Sequence, residues 1–168
     1  GNAVHKALHK FTERFPHALP SDGLALLRAE GEESFAQWLD RPNVWAFWQP
    51  RFQRIAAWWL GVERARRTGL MTAIVTERDG ALELPSLAAP FTLTARADRI
   101  DVWRDGGLTI IDYKTGTLPK KEDITLGFAP QLTLEAAMAL AGAFEGVSGT
   151  EIAELAHWKL SGNRDGGT

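Results

Sequence analysis

Asp112-Tyr113-Lys114-Thr115-Gly116, entered through Leu108-Thr109-Ile110-Ile111, carries more structural information than any other segment of this chain. β-Branched residues followed by a glycine predict a buried strand that ends in a turn. Residues two apart in a strand share a face, so Asp112 and Lys114 are expected to point the same way. A carboxylate and an ammonium side by side at a strand end can bind a hard cation and supply positive charge. In isolation an Asp-x-Lys pair is most often a plain salt bridge, so the surrounding sequence has to carry the functional reading.

The neighbouring segment is Ala97-Asp98-Arg99-Ile100-Asp101, separated from the first by the hairpin signal Asp105-Gly106-Gly107. A three-residue loop over Asp105 to Gly107 pairs Arg104 with Leu108. Counting back, this register sets Asp98 opposite Lys114 and one diagonal step from Asp112, within side-chain reach of both. A loop one residue longer or shorter would turn Asp98 to the other face.

Asp98 followed by Asp112-x-Lys114 behind a hydrophobic run resembles the core of the PD-(D/E)xK nuclease superfamily, and the longer string is closest to its RecB/AddB branch. Gly1-Asn2-Ala3-Val4-His5 resembles the Gly-x-x-x-His motif of that branch. Pro130-Gln131-Leu132 resembles the opening of its Gln-x-x-x-Tyr helix, although Glu135 stands where the family has Tyr. Trp158-Lys159-Leu160-Ser161-Gly162 is similar to the close of AddB-type nuclease domains. The first four matches run in the family's order from near residue 1 to about residue 143.

The resemblance implies an α/β (α+β) fold, a mixed central β-sheet flanked by helices around a restriction-endonuclease-like core, with N-terminal helices. It implies Mg²⁺, with Mn²⁺ as a substitute, held by Asp98, Asp112, the backbone carbonyl of Tyr113 and, additionally, His5. Asp98, Asp112, Lys114 and Gln131 are the expected catalytic set. Thr115, Lys120, Lys121 and Glu135 are the expected DNA contacts, the Tyr-to-Glu departure weakening the case for Glu135. The implied activity is that of a deoxyribonuclease, exonuclease rather than endonuclease, in double-strand break repair and recombination. The implied partners are DNA, a helicase domain in the same chain and a helicase–nuclease partner subunit.

The chemistry agrees with this set. Phosphodiester hydrolysis needs a nucleophilic water, neutralised phosphate charge and a stabilised leaving oxygen. Mg²⁺ keeps several waters and typically takes one or two carboxylates plus substrate phosphate. An ammonium such as that of Lys114 can hold the water or stabilise charge developing on phosphorus.

Composition sets bounds. With 168 residues the chain is expected to form one domain, mainly helical over 1–68 and carrying the sheet and catalytic core over 69–168. There are no cysteines, which excludes disulfides, thiolate zinc sites and iron–sulfur clusters. No apolar run reaches membrane-span length and no signal-peptide pattern opens the chain, so a cytoplasmic location is expected. The net charge of −2 counts mildly against nucleic-acid binding, but Arg64, Arg66, Arg67 and the pair Lys120, Lys121 supply local positive charge. The chain opens inside a motif without Met, as expected of a piece of a longer protein.

Read in order, Val4, Leu8, Phe11 and Phe15 predict an amphipathic helix that Pro16 ends. Ser21-Asp22 is expected to cap a second helix reaching about Leu39, with Leu24, Leu27, Phe35 and Trp38 inward. Trp45, Trp48, Phe52, Ile55, Trp59 and Val62 form one helical stripe, read as packed core rather than a base-stacking surface, with Pro50 starting the main helix. Glu63 to Arg67 reads as a solvated helix end. Leu70 to Glu77 reads as a strand turning at Asp79-Gly80, with Glu77 read as an exposed strand-end residue that could reach the site only if this strand neighbours the one bearing Asp98. Pro85 and Pro90 bracket an irregular segment, and Leu118 to Ala129 is expected to be a loop. Pro130 starts an Ala-rich helix to about Phe144, and Glu151 to Leu160 reads as a last strand. His9, His17 and His157 are read as ordinary surface residues. Two other functions compete: a nuclease-fold module that only binds DNA or a partner subunit, and a stand-alone restriction- or CRISPR-associated-type nuclease.

Overall fold

The computed structural model describes residues 2–36, 42–67, 69–85 and 89–168; the side chains of Pro42 and Trp45 are likewise outside the description. Trp38, Leu39, the break at Arg41 and Gly1 of the first motif therefore lie outside the described residues. The chain divides into two compact units. One comprises Gly1–Gly69, Tyr113–Leu118 and Trp158–Thr168, the other Leu70–Asp112 and Pro119–His157.

The helices of the first unit are α1 (Asn2–Arg14), α2 (Gly23–Ser34) and α3 (Pro42–Arg66). Val4, Leu8 and Phe11 of α1 are buried, as their spacing of four and three requires. Helix α2 starts where expected, but Asp22 occupies the cap position without a side-chain cap bond, and the helix ends at Ser34, short of Leu39. Pro50 does not start the main helix. It lies inside α3, and Phe52, Ile55 and Trp59 beyond it are all buried. A proline removes one hydrogen bond from a helix, and burial of the apolar stripe outweighs that loss here. The aromatic stripe is core: Phe11 meets Trp59 edge to face at 5.8 Å, and Phe35 meets Phe52 at 5.8 Å. Nor is the end of α3 a simple solvated terminus. Glu63 and Arg67 form a buried ion pair at 2.8 Å, and Arg67 also donates to the Phe15 carbonyl.

The four strands are β1 (Met71–Leu84), β2 (Phe91–Trp103), β3 (Gly107–Lys114) and β4 (Glu151–Lys159), in the sheet order β1-β2-β3-β4. The pairs β1–β2 and β2–β3 are antiparallel. Strand β4 runs parallel to β3: the Thr150 N–H donates to the Gly106 carbonyl at its start, and the Leu160 N–H to the Lys114 carbonyl at its end. The sheet is thus mixed and flanked by helices, the fold expected from the sequence. Between β3 and β4 come α4 (Lys121–Thr125), inside the segment expected to be a loop, and α5 (Gln131–Leu140). Leu132, Ala136 and Ala139 of α5 share a buried cluster with Ala97, Ile100 and Val102 of β2 and with Leu108 and Ile110 of β3. Among the described residues no helix is long and apolar enough to cross a membrane.

Two turn expectations fail, for one physical reason each. Asp79-Gly80 is not a turn: β1 continues through it, with Gly80 paired to Ala95. The glycine is there because Phe144 lies against it, and a Cβ at position 80 would sit 2.5 Å from that ring. The β2–β3 hairpin does turn at Asp105-Gly106-Gly107, but Val102, not Arg104, pairs with Leu108. The Gly106 N–H donates to the Trp103 carbonyl, Gly106 has φ +90°, and Asp105 accepts from the Gly107 N–H at 3.0 Å. Trp103 and Arg104 are drawn into the turn, which shifts the register by two.

Close approach also fixes Gly31 in α2, where a Cβ would lie 2.0 Å from the buried Phe52 ring. The helix-propensity gain of alanine is about 1 kcal/mol, and overpacking a pinned aromatic costs about 1–3 kcal/mol. Gly31→Ala is therefore expected to destabilise the protein in urea titration, and Phe52→Leu in the same chain to recover part of the loss. An alanine variant as stable as the parent would contradict this packing.

Candidate metal and nuclease site

The two-residue register shift changes the surroundings expected of Asp98. The ladder pairs Arg99 with Ile111 and Ile100 with Ile110. Asp98 and Asp112 are each the next residue beyond the Arg99–Ile111 pair, so the register no longer sets Asp98 opposite Lys114. Lys114 lies two residues beyond Asp112 in β3 and is half-buried.

Asp112 is the best-held of these groups. It is 2% exposed, yet both carboxylate oxygens have donors. Gln131 Nε2, at the start of α5, donates to Oδ1 at 2.7 Å. His157 Nδ1, on β4, lies 3.0 Å from Oδ2. The Gln131 amide makes a second bond, to Oε1 of Glu135 at 3.1 Å, one helical turn further along α5. Glu135 is itself buried, behind Gln131.

Asp98 has an acidic neighbour. Glu77 is not at a strand end; it lies within β1, between the pairs Thr76–Arg99 and Arg78–Ala97. A carboxylate oxygen of Glu77 comes within 4.8 Å of one of Asp98. Glu77 is, among the described residues, the non-glycine with positive φ, at +48°. Arg96 Nε donates to Glu77 Oε2 at 2.9 Å. That hydrogen bond raises the Arg96 pKa, followed by the charges of Glu77, Asp79 and Asp98.

His5 sits on α1 in the first unit, its ring edge-on to Tyr113 at 5.7 Å. The Tyr113 hydroxyl accepts from Trp59 Nε1 at 3.4 Å. Thr115 is half-buried, while Lys120 and Lys121 are exposed at the start of α4. Of the expected site residues, hydrogen bonds join Asp112, Gln131 and Glu135, and a ring contact joins His5 to Tyr113. Two residues outside the expected set matter here. Glu77 gave a usable signal, a carboxylate in the strand preceding Asp98, and β1 does neighbour β2, the condition under which it could reach the site. His157 gave none beyond its alternation in β4, because its partner is 45 residues away.

The opposite face of β2 does different work. Arg99 and Asp101 are both fully buried and joined by two bonds, Nε to Oδ1 at 2.6 Å and a terminal nitrogen to Oδ2 at 3.2 Å. Asp98, the residue before Arg99, is half-buried and lies outside this fork.

This geometry can be set beside known proteins. A family model described as the PD-(D/E)XK nuclease superfamily matches residues 1–166. The chain belongs to the PD-(D/E)XK nuclease superfamily. Similar proteins include an uncharacterised protein of Rickettsia bellii (strain RML369-C), 29% identical over 97% of this chain and 19% of its own length. Others are uncharacterised proteins of Rickettsia conorii, 28% identical over 86% of this chain and 18% of its own length, and of Rickettsia typhi, 29% identical over 86% and 17%. The chain therefore spans less than a fifth of the length of these curated relatives. Superfamily members are generally nucleases that use a divalent metal, and the neighbouring carboxylates of Glu77 and Asp98 offer the oxygen ligands a hard cation takes.

The fork gives a direct test. Asp101→Ala, which takes the fork from a fully buried guanidinium, is expected to cost about 3–5 kcal/mol of stability in urea unfolding. Asp98→Asn, at a half-buried position outside the fork, is expected to cost less. A larger loss from Asp98→Asn than from Asp101→Ala would overturn the assignment of the fork to stability.

Proposed function

We propose that this chain is the nuclease domain of a RecB/AddB-type protein, hydrolysing DNA phosphodiester bonds with a divalent metal, as an exonuclease in double-strand break repair and recombination. The observation that carries the reading is the buried Asp112 carboxylate, held by Gln131, with Lys114 two residues on and the Asp98–Glu77 carboxylate pair in the adjoining strands. Mg²⁺ or Mn²⁺ would be held by the carboxylates of Asp98 and Asp112 and the carbonyl of Tyr113, with His5 as a further ligand. Once bound, the ion polarises the phosphoryl oxygen and makes its water more acidic.

The chain's own groups supply the rest. Water oxygen bonds to phosphorus as the P–O bond to the leaving side breaks. One water proton is released and the leaving oxygen ends protonated. The Lys114 ammonium holds the water or offsets charge growing on the phosphoryl oxygens. Gln131 orients Asp112 and is in turn oriented by Glu135, which we assign to this internal role in place of a DNA contact. Glu77 and its partner Arg96 balance charge beside Asp98.

DNA would be met by Thr115, Lys120 and Lys121, together with Leu126 and Phe128, which are 69% and 79% exposed. Phe128 precedes Gln131 by three residues, so its Cα lies within about 11 Å of that of Gln131. An exposed aromatic at that range suits stacking on a base near the cleaved bond. The greater length of the relatives is consistent with a helicase domain in the same chain and a helicase–nuclease partner subunit, working in the cytoplasm.

Cleavage of labelled linear single- and double-stranded DNA with Mg²⁺, Mn²⁺ or EDTA tests the reading. Metal-dependent cutting is expected, lost in Asp98→Ala, Asp112→Ala and Lys114→Ala variants that stay folded. Phe128→Ala is expected to raise KM for single-stranded DNA about 5- to 100-fold with kcat largely kept. Full cutting by Asp112→Ala and Lys114→Ala would refute the site.

A further inference from the structure

His157 was expected to be an ordinary surface residue, yet it contacts the most buried carboxylate of the site. We propose that His157 is a positioning residue for metal capture: with Gln131 it locks the Asp112 carboxylate in one orientation. The proposal rests on the nuclease reading above.

Valence and rotation bear on this carboxylate. An ionised carboxylate only accepts hydrogen bonds, and its two oxygens offer about four lone-pair sites. Gln131 donates to Oδ1 and His157 lies against Oδ2, so the two contacts fall on different oxygens. Because the carboxylate cannot donate, Nδ1 must be the protonated ring nitrogen when Asp112 is ionised.

The two donors come from different elements, the first residue of α5 and a residue near the end of β4. Each donor restrains rotation about the Cβ–Cγ bond from its own side, and losing the His157 contact releases the restraint on Oδ2. With both in place the carboxylate plane is held before any cation arrives, and the cost of ordering it is met during folding rather than on binding. Partners that orient a ligating group in this way typically account for 10–100-fold in metal affinity or activity. The His157 side chain is only 13% exposed, so water is a poor replacement for the lost donor.

The test separates positioning from mere packing. Mn²⁺ binding is measured by calorimetry on the purified chain, beside the Mn²⁺ dependence of cleavage. His157→Leu, which removes the donor, is expected to weaken Mn²⁺ binding about 10-fold or more and shift the half-saturating Mn²⁺ for cleavage by the same factor. The rate at saturating Mn²⁺ is expected to fall less. His157→Asn places an N–H near the position of Nδ1 and is expected to restore most of the affinity, whereas His157→Gln, which reaches too far, is not. If the leucine variant fails to fold, the Asn–Gln comparison decides. Wild-type affinity in His157→Leu, or equal affinities in the Asn and Gln variants, would overturn the proposal while leaving the nuclease reading intact. A parent chain that binds no Mn²⁺ and cuts no DNA would instead overturn the nuclease reading, and this inference with it.

Discussion

A carboxylate buried at the end of a strand governs this structure. Leaving water is costly for a charged group unless hydrogen bonds replace those it had. Asp112 meets that demand with one donor from α5 and one from β4, so its burial ties three elements to a single point. The dependence runs both ways. Helix α5 must start at Gln131 and lay its apolar face on β2 and β3, because only then does the amide at its first residue reach Oδ1. Strand β4 must run parallel to β3 in a register that carries a histidine to Oδ2. The crossover containing α4 and α5 is what permits that parallel placement, since a tight hairpin can join only antiparallel strands.

Much of this was legible in the sequence because strands obey parity. The expected hairpin turned at the right residues, but Val102 in place of Arg104 pairs with Leu108, an error of two. An even shift of this kind leaves the alternation of β3 untouched, so Leu108 and Ile110 still point into one core. The core stripe of α3 was legible for a similar reason: Phe52, Ile55 and Trp59 repeat at three and four whatever happens at Pro50.

What the sequence hid depends on contacts between distant residues. Gly80 after Asp79 has the local chemistry of a turn, and only Phe144, far along the chain, explains its presence in a continuous strand. Glu63 and Arg67 look like a solvated helix end until the Phe15 carbonyl is brought to Arg67. His157 is the sharpest case. Its neighbours in β4 show only alternation, and no local rule distinguishes an outward histidine from one meeting a buried carboxylate. Propensity and periodicity describe a segment's relation to its own axis; the identity of a partner on another element is set by packing.

Strand β2 sets a stabilising pair beside a half-buried carboxylate. Asp101 is clasped by Arg99 in a fully buried fork, an arrangement that satisfies both charges and leaves little freedom. Asp98 directly precedes Arg99, with a carboxylate oxygen of Glu77 within 4.8 Å of one of its own. Arg96 is raised in pKa by its hydrogen bond to Glu77 first and by the charges of Glu77, Asp79 and Asp98 after it, so one guanidinium serves several carboxylates of β1 and β2. Because the fork pins the backbone at the residue next to Asp98, a buried pair shut off from solvent fixes where that half-buried carboxylate stands.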